Sequence, residues 1–440
     1  MSFIEKWLPR QFFLSLRWQF FSNTAQGLFG GLYLIYLGRV LGAAQFGMFS
    51  LATSLVAVAF MFVELRLHEV VIRFICPWDS TFRPEIAGIR IADLFCLDVL
   101  LRAIFLWGIV VLLPWIGKFF FVAAPPSDVL LACAAVHFFA KAGNSSAMGL
   151  IRVMNRFDAA AKLVAMEWFL KLVSLVILSR LFQPTVVQAV VLAGIIGLLS
   201  NVVIIGLAYK FWNNSYAGSV RICFHGMGHR IMETRRYIFS NLGISLSDFL
   251  VRDLDVAITG VFVRVELVGI YNMSKNVVNM MWRAVDPFFL VLMPELKKMQ
   301  AENKAEALIS FIKSVTWVLF VISLGMISIT WASLVFFGNW IFGNDFSAIS
   351  AIFPYMAVWV ILSAPLIWAH PLASAAGRPE IVLLGSFIAN LVGLILFVPL
   401  VYSMGITGAA IGWSLTSTLI FFLTAYLCFR LGLLRKVSSL

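Results

Sequence analysis

Twelve apolar runs, each near the twenty or so residues that a helix needs to cross a bilayer, follow one another with short polar interruptions. Hydrocarbon offers a backbone no hydrogen-bond partners, so a chain of such runs must form helices or a closed barrel. Barrel strands show alternation over about ten residues, which these runs lack. The expected fold class is therefore all-α, a polytopic membrane protein. The runs lie near 14–38, 46–70, 91–115, 122–145, 158–180, 186–209, 237–262, 266–292, 308–336, 348–370, 380–402 and 406–429. Only 12% of residues are charged against 62% hydrophobic, which excludes an ordinary soluble domain. Phe3, Trp7, Phe12 and Phe13 around Lys6 and Arg10 suit an interfacial helix better than a cleaved signal.

The seventh run carries Asn241, Ser245, Asp248, Arg252 and Asp255 at steps of three and four, which places them on one helical face. Charge at the bilayer centre costs about 2.5–3.5 kcal/mol per residue even on the lenient insertion scale, so this stripe must face protein or water. The eighth run has its own stripe, Asn272, Lys275, Asn279, Arg283 and Asp286. The two are expected to wall a polar cavity. Asn241, Asn272, Asn279, Arg252, Lys275 and Arg283 are its candidate cargo contacts, the cations because guanidinium and ammonium suit an anionic group such as phosphate. Asp248, Asp255, Asp286 and Glu64 are candidates for ion coupling, since a membrane carboxylate can carry protons. Asp255 leads, because no cation other than Arg252 lies within four residues of it. The pairs Asp98/Arg102 and Glu167/Lys171, four residues apart, are expected to be structural.

The longest polar loop, 210–236, divides the runs six and six, giving lobes 1–209 and 237–440. Sliding one half over the other at an offset of 222 places Gly38 on Gly260, Gly47 on Gly269, Phe49 on Tyr271 and Arg156 on Arg378. Gln19, Asn23 and Gln26 then fall on Asn241, Ser245 and Asp248, and Glu64 on Asp286. Two six-helix lobes in parallel repeat around a central polar cavity are the expected architecture. The N-terminal face of that cavity is expected to be nearly uncharged.

Of the lysines and arginines of the termini, loops and run ends, twenty-one, Arg152 and Arg156 among them, fall on one side, and Arg39, Lys118, Arg180 and Arg264 fall on the other. The asymmetry predicts both termini in the cytoplasm. It also accounts for the net charge of +12 through contact with anionic membrane lipids, with no nucleic-acid partner implied. The five cysteines show no CxxC spacing, and His225, His229 and Glu233 read as a solvated loop helix, so no metal centre is expected. No Walker A sequence or nucleophile elbow is present, which points away from an enzyme and gives no sign of a cofactor.

The stretch Leu34-Ile-Tyr-Leu-Gly-Arg39-Val-Leu41-Gly42-Ala-Ala-Gln-Phe46-Gly47 resembles the first hairpin of the bacterial polysaccharide transporter family. The resemblance continues at Ile72-Arg73-Phe74, Asn155-Arg156-Phe157, Asp255-Val-Ala-Ile-Thr-Gly260, Pro294, Gly377-Arg378-Pro379 and Gly405-Ile-Thr-Gly408. These are lipid-linked oligosaccharide flippases, the O-antigen type included, of the multidrug/oligosaccharidyl-lipid/polysaccharide exporter superfamily. The resemblance implies transfer of an undecaprenyl-diphosphate-linked repeat unit from the cytoplasmic to the periplasmic leaflet of a bacterial inner membrane. It also implies an H+ or Na+ gradient as the drive, and polysaccharide polymerase and glycosyltransferase partners. A multidrug/cation antiporter of the same architecture is the nearest alternative, and a polysaccharide polymerase or ligase a more distant one.

Overall fold

The computed structural model describes residues 10–75, 83–120, 125–154, 156–216, 220, 223, 226–247, 253–301, 305–376, 378 and 380–433. The expected interfacial segment lies largely outside them. Helices account for the described chain. They are α1 (Arg10–Met61), α2 (Leu67–Phe74), α3 (Pro84–Phe120), α4 (Ser127–Lys141), α5 (Asn144–Val153), α6 (Phe157–Leu181) and α7 (Val186–Ser215) in the first half. The second half has α8 (Met227–Ser247), α9 (Asp255–Phe262), α10 (Val265–Ala301), α11 (Ala305–Phe342), α12 (Ile349–Ser363), α13 (Ala369–Ala375) and α14 (Glu380–Arg430). Each of the twelve apolar runs is met by helix. Six described stretches, among them Pro84–Leu112, Val186–Ser215 and Glu306–Phe342, are long and apolar enough to cross a membrane. Trp107, Phe336 and Phe387 stand exposed on these helices, as suits a hydrocarbon solvent.

Two of the helices each carry two runs. α1 turns at Gly42, whose φ of 74° favours glycine, and α14 turns at Gly405 with φ 59°. Other runs are broken. The second stops at Met61 and resumes at Leu67, the fourth is interrupted at Ala142 and Gly143, and the tenth passes through a 3-10 turn at Ala364–Leu366. The seventh resumes at Asp255 after a segment partly outside the described residues.

Broken helices leave carbonyls that hydrocarbon cannot satisfy, so side chains must do so. Asn201 of α7, itself buried, donates to the carbonyls of Phe139 and Ala142 at 3.0 Å each and accepts from Asn144 Nδ2 at 3.1 Å. An Asn201→Leu variant should lose about 2 kcal/mol of stability by orphaning those carbonyls. Thermal unfolding in detergent measures it, and an unchanged midpoint would mean the carbonyls find other partners.

By compactness the chain divides into two units. The first comprises Met1–Tyr33, Leu55–Phe119 and Pro125–Leu246, and the second Leu34–Ser54, Phe120–Ala124 and Ser247–Leu440. The first unit has a core in which Leu67, Val71, Ile75, Leu94, Ile151 and Trp212 are buried. The second packs Leu296, Leu308, Leu319, Ile367, Leu372 and Cys428.

The offset of 222 holds in the backbone. Arg156 and Arg378 each donate to the carbonyl five residues earlier, Ile151 and Ala373, at 3.0 Å. The breaks at Ala142 and Ala364 are in register too, each closing on the carbonyl four residues back, Phe138 and Val360. Inside the second unit the two copies of one segment meet. A Cβ on Gly47 would lie 1.8 Å from the Val265 carbonyl oxygen, and one on Gly269 would lie 2.4 Å from that of Ala43. Likewise a Cβ on Gly38 would meet Met273, and one on Gly260 would meet Leu51. Asn272 donates to Ser50, its own counterpart in the register, at 2.8 Å. Contacts that exchange in this way define a local two-fold axis.

Candidate functional site

The breaks in the second and fourth runs come together in the first unit and line an open cavity of about 420 Å³. Glu64, Leu65, Arg66 and His68 line it from one break, and Lys141, Asn144, Ser145 and Arg152 from the other. Asp98 and Arg102 reach it from α3, Glu167, Trp168 and Lys171 from α6, and Gln26 from α1. Discontinuous helices at a cavity are a recurrent way to bring backbone ends and side chains to a polar cargo within a membrane.

Five cations therefore face the cavity against three carboxylates. The two pairs expected to be structural do form. Arg102 Nε donates to Asp98 at 2.9 Å, and the second oxygen of Asp98 accepts from the Gly143 N–H at 2.8 Å, which closes the break in the fourth run. Lys171 Nζ donates to Glu167 at 2.5 Å, Ser200 donates to the other oxygen of Glu167 at 2.9 Å, and the ammonium lies 4.7 Å from the Trp168 ring centroid. Arg66 makes a 3.5 Å ion pair with Glu69. It is also the one non-glycine residue with positive φ, 47°, among the described residues, a strained conformation that requires support from its surroundings. That support comes from the middle of the sequence: Ser245 donates to the Glu64 carbonyl at 3.0 Å and Asn241 to the Arg66 carbonyl at 3.5 Å. Among the described residues Arg152 makes no hydrogen bond or close ion pair; the carboxylate that acts on its guanidinium is Glu69, which it shares with Arg66.

The second unit holds a closed polar cluster. Asp255, at the start of α9, receives Lys275 Nζ on both oxygens at 2.7 and 2.8 Å and the Tyr271 hydroxyl at 2.6 Å. All three side chains are buried, and the ammonium lies 5.7 Å from the Trp413 ring centroid. Asp255 thus has its cation twenty residues away, where spacing within one helix does not reveal it.

The residues singled out in the sequence are accordingly dispersed. Asn241 mends the backbone of the second run, Glu64 lines the first unit's cavity, and Lys275 binds Asp255. Asn272 holds Ser50. Asn279 and Asp286 are half-buried, and Arg283 is exposed. Asp248 and Arg252 lie outside the described residues.

The expectation of a nearly uncharged N-terminal face is not met. It came from the first run alone, whereas the charge arrives from the second to fifth. Arg152, expected in a cytoplasmic loop, is on α5 and lines the cavity. His68 and Lys141 also went unrecognised. The signal available for them was the cluster of polar residues around Gly143 and the indistinct end of the second run.

Residues 16–300, well over half of the chain, match the family described as polysaccharide biosynthesis protein. The chain belongs to that family. No curated protein matches the sequence. Among solved structures, the lipid II flippase MurJ in an inward closed conformation is similar with a TM-score of 0.71 at 11% identity, over 95% of this chain and 87% of that one. The MATE multidrug transporter DinF-BH is similar with a TM-score of 0.62 at 16% identity, over 97% of each chain. The eukaryotic MATE transporter AtDTX14 gives 0.57 at 12% identity over 94% of each. This polysaccharide biosynthesis family member is thus an all-α, multi-pass membrane protein with the fold of these transporters.

Proposed function

We propose that the protein is a flippase that moves an undecaprenyl-diphosphate-linked oligosaccharide repeat unit from the cytoplasmic to the periplasmic leaflet by alternating access, for assembly of a surface polysaccharide of the O-antigen type. A diphosphate with sugars attached cannot enter hydrocarbon, whereas its isoprenoid tail is at home there, so the head needs a polar route with a cationic lining. The observation that carries this reading is the first unit's cavity, where cations outnumber carboxylates in the lining and Arg152 shares the Glu69 carboxylate with Arg66. Its volume of about 420 Å³ lies within the 300–1,000 Å³ typical of ligand pockets. The family and the fold support transport as the activity. Residence in a bacterial inner membrane with cytoplasmic termini belongs to the same proposal, as do polymerase and glycosyltransferase partners. Among the sequence candidates, Lys275 moves from cargo contact to the Asp255 pair in this reading.

Transfer of a fluorescent polyprenyl-diphosphate-linked oligosaccharide between the leaflets of reconstituted liposomes tests it. An Arg152→Ala variant should transfer about tenfold more slowly or worse, since a hydrogen bond to a charged group is worth about 1.5–3 kcal/mol. Arg180→Ala, exposed at the end of α6, should behave as the parent. Equal rates in Arg152→Ala and the parent would refute the role of the cavity, and movement of organic cations alone would assign an antiporter.

Coupling to an H+ or Na+ gradient is part of the proposal, with Asp255 as its carboxylate. Because Lys275 already occupies both oxygens, an incoming cation must displace an ammonium or act through its proton. Asp255→Asn should remove the gradient dependence of transfer in the same liposomes. Unchanged dependence would exclude Asp255 from coupling.

A further inference from the structure

Behind the charged cavity the first unit has a second, apolar one. Ile91 and Phe95 of α3, Leu150 of α5, and Ile205 and Tyr209 of α7 line an open groove of about 230 Å³. The short helix α5 parts the two. Ser145, Met148 and Arg152 face the charged cavity, whereas Ser146, Ala147 and Leu150 face the groove. Among the described residues no charged side chain lines the groove. The charges that flank Ile91 and Ala92 on α3 are engaged with α8, Arg90 with Glu233 at 2.8 Å and Asp93 with Arg230.

Ser146 is the exception to this apolar wall. It is 1% exposed, and among the described residues its hydroxyl has no hydrogen-bond partner. A serine in a helix commonly donates to the carbonyl four residues back. Here that carbonyl, Ala142, accepts from Asn201 at 3.0 Å instead. A buried donor left unpaired is destabilising, so the place calls for an acceptor from outside the chain.

Depth narrows the choice of ligand. With thirty residues α7 is about 45 Å long, the thickness of a bilayer with its head groups. Tyr209 stands six residues before Ser215, the last of that helix, hence ~9 Å from its end and at the border of the hydrocarbon core. It is exposed there, at the level where tyrosine is enriched in membrane proteins. In a glycerolipid this border is where the apolar chain meets the ester carbonyl, an acceptor.

We propose that the groove binds one acyl chain of a membrane glycerolipid, whose ester carbonyl accepts a hydrogen bond from Ser146. The aliphatic and aromatic lining takes the chain, and the orphan hydroxyl takes the carbonyl. A polyprenyl tail brings hydrocarbon without a carbonyl and leaves Ser146 unsatisfied, whereas a water-soluble ligand leaves the lining unmatched. The inference does not rest on the flippase reading.

Phosphatidylglycerol carrying a photoreactive group on one acyl chain tests it, irradiated with the delipidated full chain in detergent and followed by peptide mapping. Label is expected on the peptides that hold Phe95, Leu150 and Ile205. Unlabelled diester phosphatidylglycerol should displace it roughly fivefold more readily than the diether analogue, which has the same head and chains but no carbonyl. Ser146→Ala should erase that difference. Ile205→Trp, which fills the groove, should remove the label there and leave it at Trp107, exposed elsewhere on α3. Label spread evenly over the groove and Trp107 would mean only the ordinary lipid belt. Equal displacement by diester and diether lipid in the parent would remove the ester contact, and stronger displacement by a polyprenyl phosphate would give the groove to an isoprenoid tail. Each of these three results overturns the proposal, and each is read on the parent, so none depends on a variant folding.

Discussion

A Gly47→Ala variant should unfold far more readily than the parent, with a loss of about 3 kcal/mol. The added methyl would sit 1.8 Å from the Val265 carbonyl oxygen and 2.7 Å from its carbon. Both are backbone atoms in a helix that packs directly on this one, so no rotamer change relieves the clash, and the two segments must separate. Gly269→Ala, 2.4 Å from the Ala43 carbonyl oxygen, should behave similarly. Gly325→Ala and Gly338→Ala have no atom within 4 Å of the new methyl and should change stability by less than about 0.5 kcal/mol. Thermal unfolding in detergent separates these cases. If Gly47→Ala melts with Gly325→Ala, the helices do not cross at glycine distance.

Lys275→Ala should be at least as damaging, costing about 3–5 kcal/mol, because it strands the Asp255 carboxylate in a buried site. The pair is 1% and 5% exposed, so solvent can do little to screen the stranded charge. Asp255→Asn/Lys275→Met should restore most of the loss. Asparagine still accepts the Tyr271 hydroxyl, and methionine fills the volume of the lysine stem, while both desolvated charges disappear together. Unfolding midpoints of single and double variants measure this, and a double variant no better than Lys275→Ala would show that the cluster is held by packing and not by charge.

Much of the fold was legible because one force sets it. Apolar runs near twenty residues long had to become helices, and the register of 222 pairs the turns at Arg156 and Arg378. The site was less legible because hydrophobic periodicity reports on one helix at a time. The stripe through Asn241 and Ser245 was real, yet these side chains mend carbonyls at Arg66 and Glu64, about 180 residues away in sequence. The cavity of the first unit takes one or two charged residues from each of several pieces, and no single piece shows a stripe. Spacing offered Asp255 only Arg252, because its partner Lys275 stands on the next helix.

The exchange of contacts at Gly47 and Gly269 bears on how such a chain can diversify. A half-length ancestor would have met itself there as a symmetric homodimer does, with one glycine facing its twin. After fusion, a substitution beside that axis is still felt by both copies, and each must keep its smallest residue. Positions remote from the axis lose that obligation and can part company. Asp98, Arg102, Glu167 and Lys171 stand in register with Phe320, Leu324, Ala389 and Gly393, while Asp255 and Lys275 stand in register with Tyr33 and Thr53. Symmetry preserved at the seam left each half free to specialise in a different chemistry.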